Sequence, residues 1–188
     1  MHTIEPYYNW QQYYRAERDM RSPFYGRTYG QAYVNDVYGY YIDPNWDEFG
    51  SETLYCKLIF VDYGLSCAVI ELFGEWNDAL HNDIMHFKRN VLDRLLRNGV
   101  QKFILIGENL LQFHGGDSDY YEEWFEDVED GWIAALNFRE FILDEMKKYR
   151  LDYYINLGGT LQMGNWRTVK PKQLVAVVDS LMTRRLGA

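Results

Sequence analysis

Cysteine is scarce in this chain: Cys56 and Cys67 are the only two among its 188 residues. Both fall inside apolar, strand-like runs. If these runs pair through a turn at residues 63–66, Cys67 lies opposite Asp62. Cys56 then lies opposite Phe73, so the two sulfurs do not face each other and we expect free thiols rather than a disulfide. Two thiols without neighbouring Cys or His ligands do not make a zinc site, and we expect no metal and no cofactor.

Long apolar runs and excess basic charge are also missing. No apolar stretch is long enough to span a membrane, and the N-terminus lacks the basic start and apolar core of a signal peptide. We therefore expect a cytoplasmic protein without membrane insertion. Lys and Arg number 19 against 28 Asp and Glu, which gives a formal net charge of −9. Because proteins bind nucleic acid mainly through Lys and Arg that displace counterions, this charge argues against a nucleic-acid partner.

Aliphatic residues are rare in the first fifty positions, which hold ten of the seventeen tyrosines but only four Val, Ile or Leu residues. We expect residues 1–50 to form an aromatic-rich arm and residues 51–188 a single α/β domain. The arm either covers apolar surface on this chain or on a second copy, or it is a mobile tail. The apolar area of its rings favours docking, and with it a homodimer. A short helix that begins near Pro6 would place Tyr7 and Trp10 on one face.

From residue 54 onward the hydrophobic pattern becomes regular. It predicts strands over 54–62 and 66–73, a helix over 78–98, a strand over 100–106, a helix over 132–150, a strand over 151–157 and a final helix from Pro171. The last three strands should be parallel because a helix joins each pair, and the hairpin adds an antiparallel strand. The order β-β-α-β-α-β-α thus predicts an α/β fold with a mixed four-stranded sheet and packed helices.

The most acidic stretch, residues 117–130, holds eight carboxylates and no basic residue. It begins Asp-Ser-Asp like a calcium-binding loop, but the residues that follow lack the third oxygen ligand and the turn glycine of such loops. Apolar residues at helical spacing accompany the acids: Tyr121, Trp124, Phe125 and Val128. We therefore interpret the stretch as an amphipathic helix with a solvated acidic face, rather than as a calcium site.

Ligands of open α/β sheets usually bind beyond the carboxyl ends of the strands. Three segments, 74–78, 107–119 and 158–166, should converge there. The glycine-rich part of the third lacks the lysine of a phosphate-binding loop, and the chain contains no serine or cysteine nucleophile elbow. Ligand-binding candidates at this end are the polar and aromatic residues Glu75, Trp76, Asn77, Glu108, Asn109, His114, Asn165 and Trp166.

The hairpin that leads into residues 68–77 (AVIELFGEWN), followed by a helix and then by residues 99–106 (GVQKFILI), resembles STAS domains. These are the modules of anti-sigma factor antagonists and of sulphate transporter tails. The resemblance covers about residues 54–186. It implies the β-β-α-β-α-β-α fold and a regulatory or protein-interaction role in signalling.

The same resemblance singles out a serine. In STAS domains of the anti-sigma factor antagonist type, a serine preceded by an aspartate is phosphorylated by a partner kinase at the start of the second long helix. Here the helix expected at that place begins Asp130-Gly131-Trp132 without serine, and the Asp-Ser pair of the preceding loop is Asp117-Ser118. Because carboxylates crowd Ser118, we expect no strong regulation through its phosphorylation.

Two kinds of function follow from these observations. The first is a non-enzymatic regulatory or protein-interaction module of STAS-like fold, which binds a protein partner or a second copy of itself. The alternative is a small enzyme or ligand-binding protein that uses the loops at the strand ends, where a concave site with perturbed carboxylates would favour it. Stacking of sugars on the aromatic arm is a third hypothesis, which we rank last because nothing in the arm's sequence indicates a rigid site.

Overall fold

Residues 2–33 and 36–50 contain only short elements. The structure, a computed structural model, describes residues 2–33 and 36–187. A small sheet has the order β1-β3-β2, with β1 at His2–Ile4, β2 at Asp36–Val37 and β3 at Tyr40–Ile42. Single 3-10 turns, Asn9–Gln12 and Ala16–Arg18, stand where an α-helix from Pro6 was expected.

The main sheet has the order β4-β5-β6-β7, with β4 at Leu54–Asp62, β5 at Cys67–Asn77, β6 at Lys102–His114 and β7 at Trp132–Leu136. β4 is antiparallel to β5, whereas β5, β6 and β7 are parallel, so the mixed four-stranded sheet is confirmed. A register shift after Leu58 pairs Cys56 with Leu72 and not with Phe73. The thiols of Cys56 and Cys67 lie in cores on opposite faces of the sheet.

The described residues contain six α-helices: α1 at Asp78–His81, α2 at Asp83–Phe87, α3 at Asp93–Arg97, α4 at Asp119–Asp127, α5 at Glu140–Lys148 and α6 at Pro171–Leu186. The single helix expected over 78–98 is broken. Asn82 adopts a left-handed backbone with φ of 51°, and Lys88–Leu92 form a π-helical turn. In a continuous helix Leu80 would share the apolar face of Ile84 and Phe87, but it lies before the break and is 79% exposed. None of the helices in the described ranges is long and apolar enough to cross a membrane.

From residue 132 to residue 157, the strands and helices do not lie at the residues where the sequence predicts them. Residues 132–136 are strand β7, not the start of a helix, and α5 begins only at Glu140. All five β7 side chains are buried, and a run that is apolar on both sides does not distinguish a strand from a buried helix. The strand expected over 151–157 is a 3-10 turn and one bridge, between Ala134 and Asn156. The second helix of the order is therefore α4, and Ser118 is the residue before it.

Two cores flank the main sheet. The larger lies under α2, α3, α4 and α5 and takes the alternate side chains of β5 such as Ile70 and Leu72. The smaller lies under α6 and takes the intervening side chains such as Val69, together with Trp166. Period-two alternation thus divides one strand between two cores, which accounts for its continuous apolar sequence.

Aromatic residues of the first fifty positions pack on the main sheet. Trp10, in the smaller core, is 3% exposed, and its ring centroid lies 6.3 Å from that of Phe60 and 5.6 Å from that of Trp166. Trp46 stacks on Phe73 at 5.3 Å in a separate small cluster. The backbone of Asp47 exchanges hydrogen bonds with that of Cys56, so this part of the outer edge of β4 is not free to pair with another chain.

Candidate functional site

The ligand-binding candidates do not form one site: some of them belong to a group around Glu75 and others to a group around Glu108. The first group surrounds Glu75. Asn77 Nδ2 donates a hydrogen bond of 2.7 Å to Glu75 Oε1, and His114 Nε2 lies 3.5 Å from the same oxygen. The Tyr38 hydroxyl donates to the other oxygen, and this bond raises the pKa of Tyr38 above its ordinary value. The group therefore holds the turn between β2 and β3 against the end of the main sheet.

Trp76 does not join this group, because it faces the opposite side of β5. It is fully buried, and its Nε1 donates to Asp78 Oδ1 at 2.9 Å. The backbone N–H of Ile84 and the hydroxyl of Tyr121 donate to the same carboxyl group. Burial raises the pKa of Asp78 to about 6, although these three hydrogen bonds oppose the rise. Asp78 therefore ties the end of β5 to α2 and α4, a role that the sequence did not indicate.

The second group surrounds Glu108. Asn137 Nδ2 donates to Glu108 Oε1 at 2.9 Å, and Trp166 Nε1 donates to the same oxygen at 2.7 Å. Arg167 Nη2 forms an ion pair with the other oxygen at 2.7 Å. Of the sequence candidates, Glu108 and Trp166 are thus in direct contact, while Asn165 is exposed beside them. Asn137 and Arg167 complete the cluster and were not predicted.

Glu71 is a buried carboxyl next to this cluster, with 1% of its surface exposed. Its side chain accepts hydrogen bonds from the Tyr7 backbone N–H at 2.8 Å and from Asn109 Nδ2 at 3.2 Å. Burial raises the pKa of Glu71 to about 7; the Tyr7 hydrogen bond and the charge of Arg167 oppose the rise, whereas the charge of Glu108 adds to it. A glutamate inside an otherwise apolar, two-sided buried strand is the sequence signal that could have identified it.

An open cleft of about 760 Å³ lies at the carboxyl end of β7, beside Glu108 in the middle of β6. Glu108 and Asn137 contribute to its wall, with the start of α5 on one side and residues 158–164 on the other. The side chain of Asn137 fixes this glycine-rich segment through hydrogen bonds to both backbone groups of Met163. Gln162 Nε2 adds a bond of 2.8 Å to the Phe138 carbonyl. Of the three segments expected to converge, 107–119 and 158–166 therefore meet at this cleft.

An aromatic surface of three rings, Phe125, Tyr153 and Tyr154, lies where α4 meets the segment after α5. The ring centroids of Phe125 and Tyr154 are 5.7 Å apart, as are those of Tyr153 and Tyr154. Phe125 is 46% exposed and Tyr153 is 80% exposed. Of the apolar stripe expected in the acidic stretch, Tyr121, Trp124 and Val128 are buried, whereas Phe125 faces outward.

The acidic face of α4 is partly neutralised. Ligand oxygens of Asp93, Glu123 and Asp127 lie within 4.8 Å of one another, an arrangement that could hold a metal ion. The ammonium group of Lys88 binds all three, at 2.8 Å from Asp127 and 3.3 Å from Glu123. Burial opposes the charge of Lys88, but the bonds to Asp127 and Asp93 outweigh it and raise its pKa. The lysine thus supplies the positive charge at this place.

Ser118 stands at the N-terminal end of α4 and is half-buried. Its side chain makes no capping hydrogen bond to the helix. The expectation that the second helix begins without a serine is wrong, because that helix is α4 and not the segment from Asp130. The carboxylates of Asp117 and Asp119 on either side of Ser118 are exposed.

Comparison with solved structures finds likenesses to known proteins. Among them, the chain is similar to the anti-sigma factor antagonist SpoIIAA in its unphosphorylated form, with a TM-score of 0.43 and 13% sequence identity, over 71% of this chain and 97% of that one. No protein-family profile and no curated protein sequence matches the chain.

Proposed function

We propose that the chain is a non-enzymatic interaction module that docks a partner protein on the aromatic surface of Phe125, Tyr153 and Tyr154. The carrying observation is that two exposed rings, Phe125 and Tyr153, both contact the half-buried ring of Tyr154 and so form one continuous surface. Single exposed apolar side chains are common on protein surfaces, whereas contiguous exposed aromatic groups mark interaction sites. Tyrosine and phenylalanine are also enriched in the cores of protein interfaces, where each ring contributes a large contact area.

The polar cluster at the strand ends supports the same proposal. The carboxylate of Glu108 is bound by Asn137, Trp166 and Arg167, and that of Glu71 by Tyr7 and Asn109. These bonds connect the N-terminal residues, the sheet and the glycine-rich segment to one another. Because both carboxylates already accept hydrogen bonds from the chain itself, they stabilise its fold. Each would have to give up these hydrogen bonds before it could act on a substrate.

A photochemical cross-linking experiment in cells of the native host tests the proposal. Tyr153 is replaced by p-benzoylphenylalanine, which should give a defined protein adduct after irradiation. The adduct should disappear when Phe125→Ser is added, because the neighbouring ring is part of the same contact. As a control, the cross-linker replaces Leu80, which is comparably exposed on α1. An adduct that persists with Phe125→Ser, or that forms equally from position 80, would refute docking at this surface.

The cleft at the carboxyl end of β7 favours a second function, the binding of a small ligand. Its volume of about 760 Å³ is in the range of ligand sites, and it lies where α/β sheets bind their ligands. Amide resonances of Gly158, Gly159 and Gln162 should shift when a library of small polar compounds is titrated into the labelled protein. Shifts confined to residues outside the cleft would contradict this second function.

A further inference from the structure

The charge around the aromatic surface has one sign on its α4 side. Of the eight carboxylates in residues 117–130, Glu123 and Asp127 form ion pairs with Lys88 or Arg89. The other six have no Lys, Arg or His partner within ion-pairing distance among residues 2–33 and 36–187: Asp117, Asp119, Glu122, Glu126, Glu129 and Asp130. With a net charge of −9 for the whole chain, this segment is the main source of the excess.

The free carboxylates lie next to the exposed ring. Glu122 precedes Phe125 by three residues and Glu126 follows it directly, and both are exposed. Positions three apart on a helix share a face, so Glu122 and Phe125 are neighbours on the surface of α4. The paired residues Glu123 and Asp127 point toward Lys88, which leaves Glu122 and Glu126 on the outward side. An aromatic group and uncompensated carboxylates therefore form one continuous surface.

The other side of the rings differs in charge. Tyr153 and Tyr154 follow the C-terminal end of α5, where the basic residues Lys147, Lys148 and Arg150 occur together with the acidic residues Glu145 and Asp152. Lys148 pairs with Glu145, so this side is mixed in charge, whereas uncompensated negative charge is densest on the α4 flank. A partner whose basic residues lie over α4 and whose apolar residue lies over the rings would match both halves.

From this charge complementarity we infer that the occupant of the aromatic surface is a Lys- and Arg-rich segment of a partner protein with an apolar side chain among the basic ones. The inference rests on the proposed docking function and names the chemistry of its partner. The basic groups bind the carboxylates of Glu122 and Glu126, and the apolar side chain packs on Phe125. Arginine also stacks favourably on tyrosine faces, which Tyr153 and Tyr154 supply.

The test uses the full chain and a fluorescein-labelled synthetic peptide in which Lys and Arg alternate with Leu. A peptide with Glu in place of the basic residues serves as its counterpart. Fluorescence anisotropy should show that the protein binds the basic peptide and does not bind the acidic one. The affinity for the basic peptide should fall as ionic strength rises. Phe125→Ser should weaken binding by about tenfold, the usual effect of removing an anchor side chain. Tyr153→Ser gives a second reading at a more exposed ring and should weaken it in the same direction.

Matched charge variants separate this site from general attraction to an acidic protein. Glu122→Gln with Glu126→Gln should weaken binding by several-fold and reduce its salt dependence. Glu140→Gln with Asp144→Asn removes the same charge from exposed positions on α5 and should leave the affinity unchanged. Equal effects of the two pairs, or no effect of either ring variant, would overturn the inference. If the cross-linked adduct depends on Phe125 but the basic peptide does not bind, docking stands and the basic partner is refuted.

Discussion

Replacing Glu71 by glutamine should change how the stability of the protein depends on pH. The Glu71 carboxyl is buried, and its pKa rises from 4.5 to about 7, first because of burial. A shift of this size corresponds to a difference of about 3 kcal/mol between the two protonation states. The groups that face it do not cancel this cost: Arg167 favours the ionised form, and Glu108 opposes it. Lys57, opposite Glu71 in the β4–β5 register, forms its ion pair with Asp47 instead.

The sign follows from proton linkage. Because the folded state holds the proton of Glu71 more tightly than the unfolded state, its contribution to stability is fully present below pH 4.5. It is lost as the pH rises from 4.5 through about 7, and it stays lost above that. The free energy of unfolding of the parent protein, measured relative to Glu71→Gln, should therefore fall by about 3 kcal/mol over this interval.

Urea denaturation at several pH values, followed by tryptophan fluorescence, measures both proteins. Subtraction of one curve from the other removes the contributions of the other titrating groups, including Asp78, which the two proteins share. The slope with urea should be the same for both, so that the midpoints report stability alone. A difference between parent and variant that is constant from pH 4 to pH 8 would refute a buried, protonated Glu71.

Three further outcomes are expected. Lys88→Met should lower the free energy of unfolding by roughly 1–3 kcal/mol, because it leaves carboxylates without their buried partner. In the parent protein, added calcium should leave the melting temperature unchanged, since the ammonium group of Lys88 already occupies the place between these carboxylates. A rise of several degrees with calcium would contradict this. Trp10→Ala should lower the free energy of unfolding, measured by urea denaturation, by about 3 kcal/mol, whereas Tyr8→Ala at an exposed ring should lower it by less than about 0.5 kcal/mol. Equal, small effects of the two changes would mean that the aromatic arm contributes no stability. Ser118→Asp should change the affinity for the basic peptide by at most about twofold relative to Ser118→Ala. Position 118 lies about 10 Å along α4 from Phe125, a distance comparable with the Debye screening length of the solution. If Ser118→Asp instead switched binding on or off, Ser118 would regulate docking.

Elements with one buried face could be predicted from the sequence. The stripe Ile84, Phe87, Val91 and Leu95 is fully buried, although the helix that carries it is interrupted. An apolar stripe survives such a break because each short piece still turns its apolar side to the sheet. The break itself depends on the backbone of Asn82, and asparagine tolerates a left-handed conformation without requiring it. Its position was therefore not predictable.

Strand β7 shows where periodicity stops being informative. Its sequence WIAAL is buried on both sides, so it carries neither the alternation of a half-buried strand nor the spacing of a helix. Its ends offer the better signal: Gly131 lies so close to the Gln101 carbonyl that a Cβ would collide with it, and Asn137 has φ of 56°. Because β7 was read as a helix, the second helix of the fold was misplaced, and with it the position of Ser118.

The strand ends account for the place of some candidate residues only. Glu75 and His114 lie near the carboxyl ends of β5 and β6, where the ends of parallel strands meet, whereas β6 is longer than expected and contains Glu108 and Asn109 within the strand. Glu71 was omitted, since a strand-centred residue usually faces a core. Its hydrogen bond comes from Tyr7, 64 positions earlier in the chain. No pattern local to either residue shows that the N-terminal segment crosses this part of the sheet.

The acidic face of α4 shows how structure divides what composition presents as one feature. Glu123 and Asp127, four residues apart, share the side of the helix that binds Lys88, whereas Glu122 and Glu126 share the neighbouring side and stay free. The first pair fixes α4 on the segment between α2 and α3 through a buried ammonium group. Because α4 is fixed in this way, Phe125 and its acidic neighbours are held in place before a partner arrives, and less conformational entropy is lost on docking.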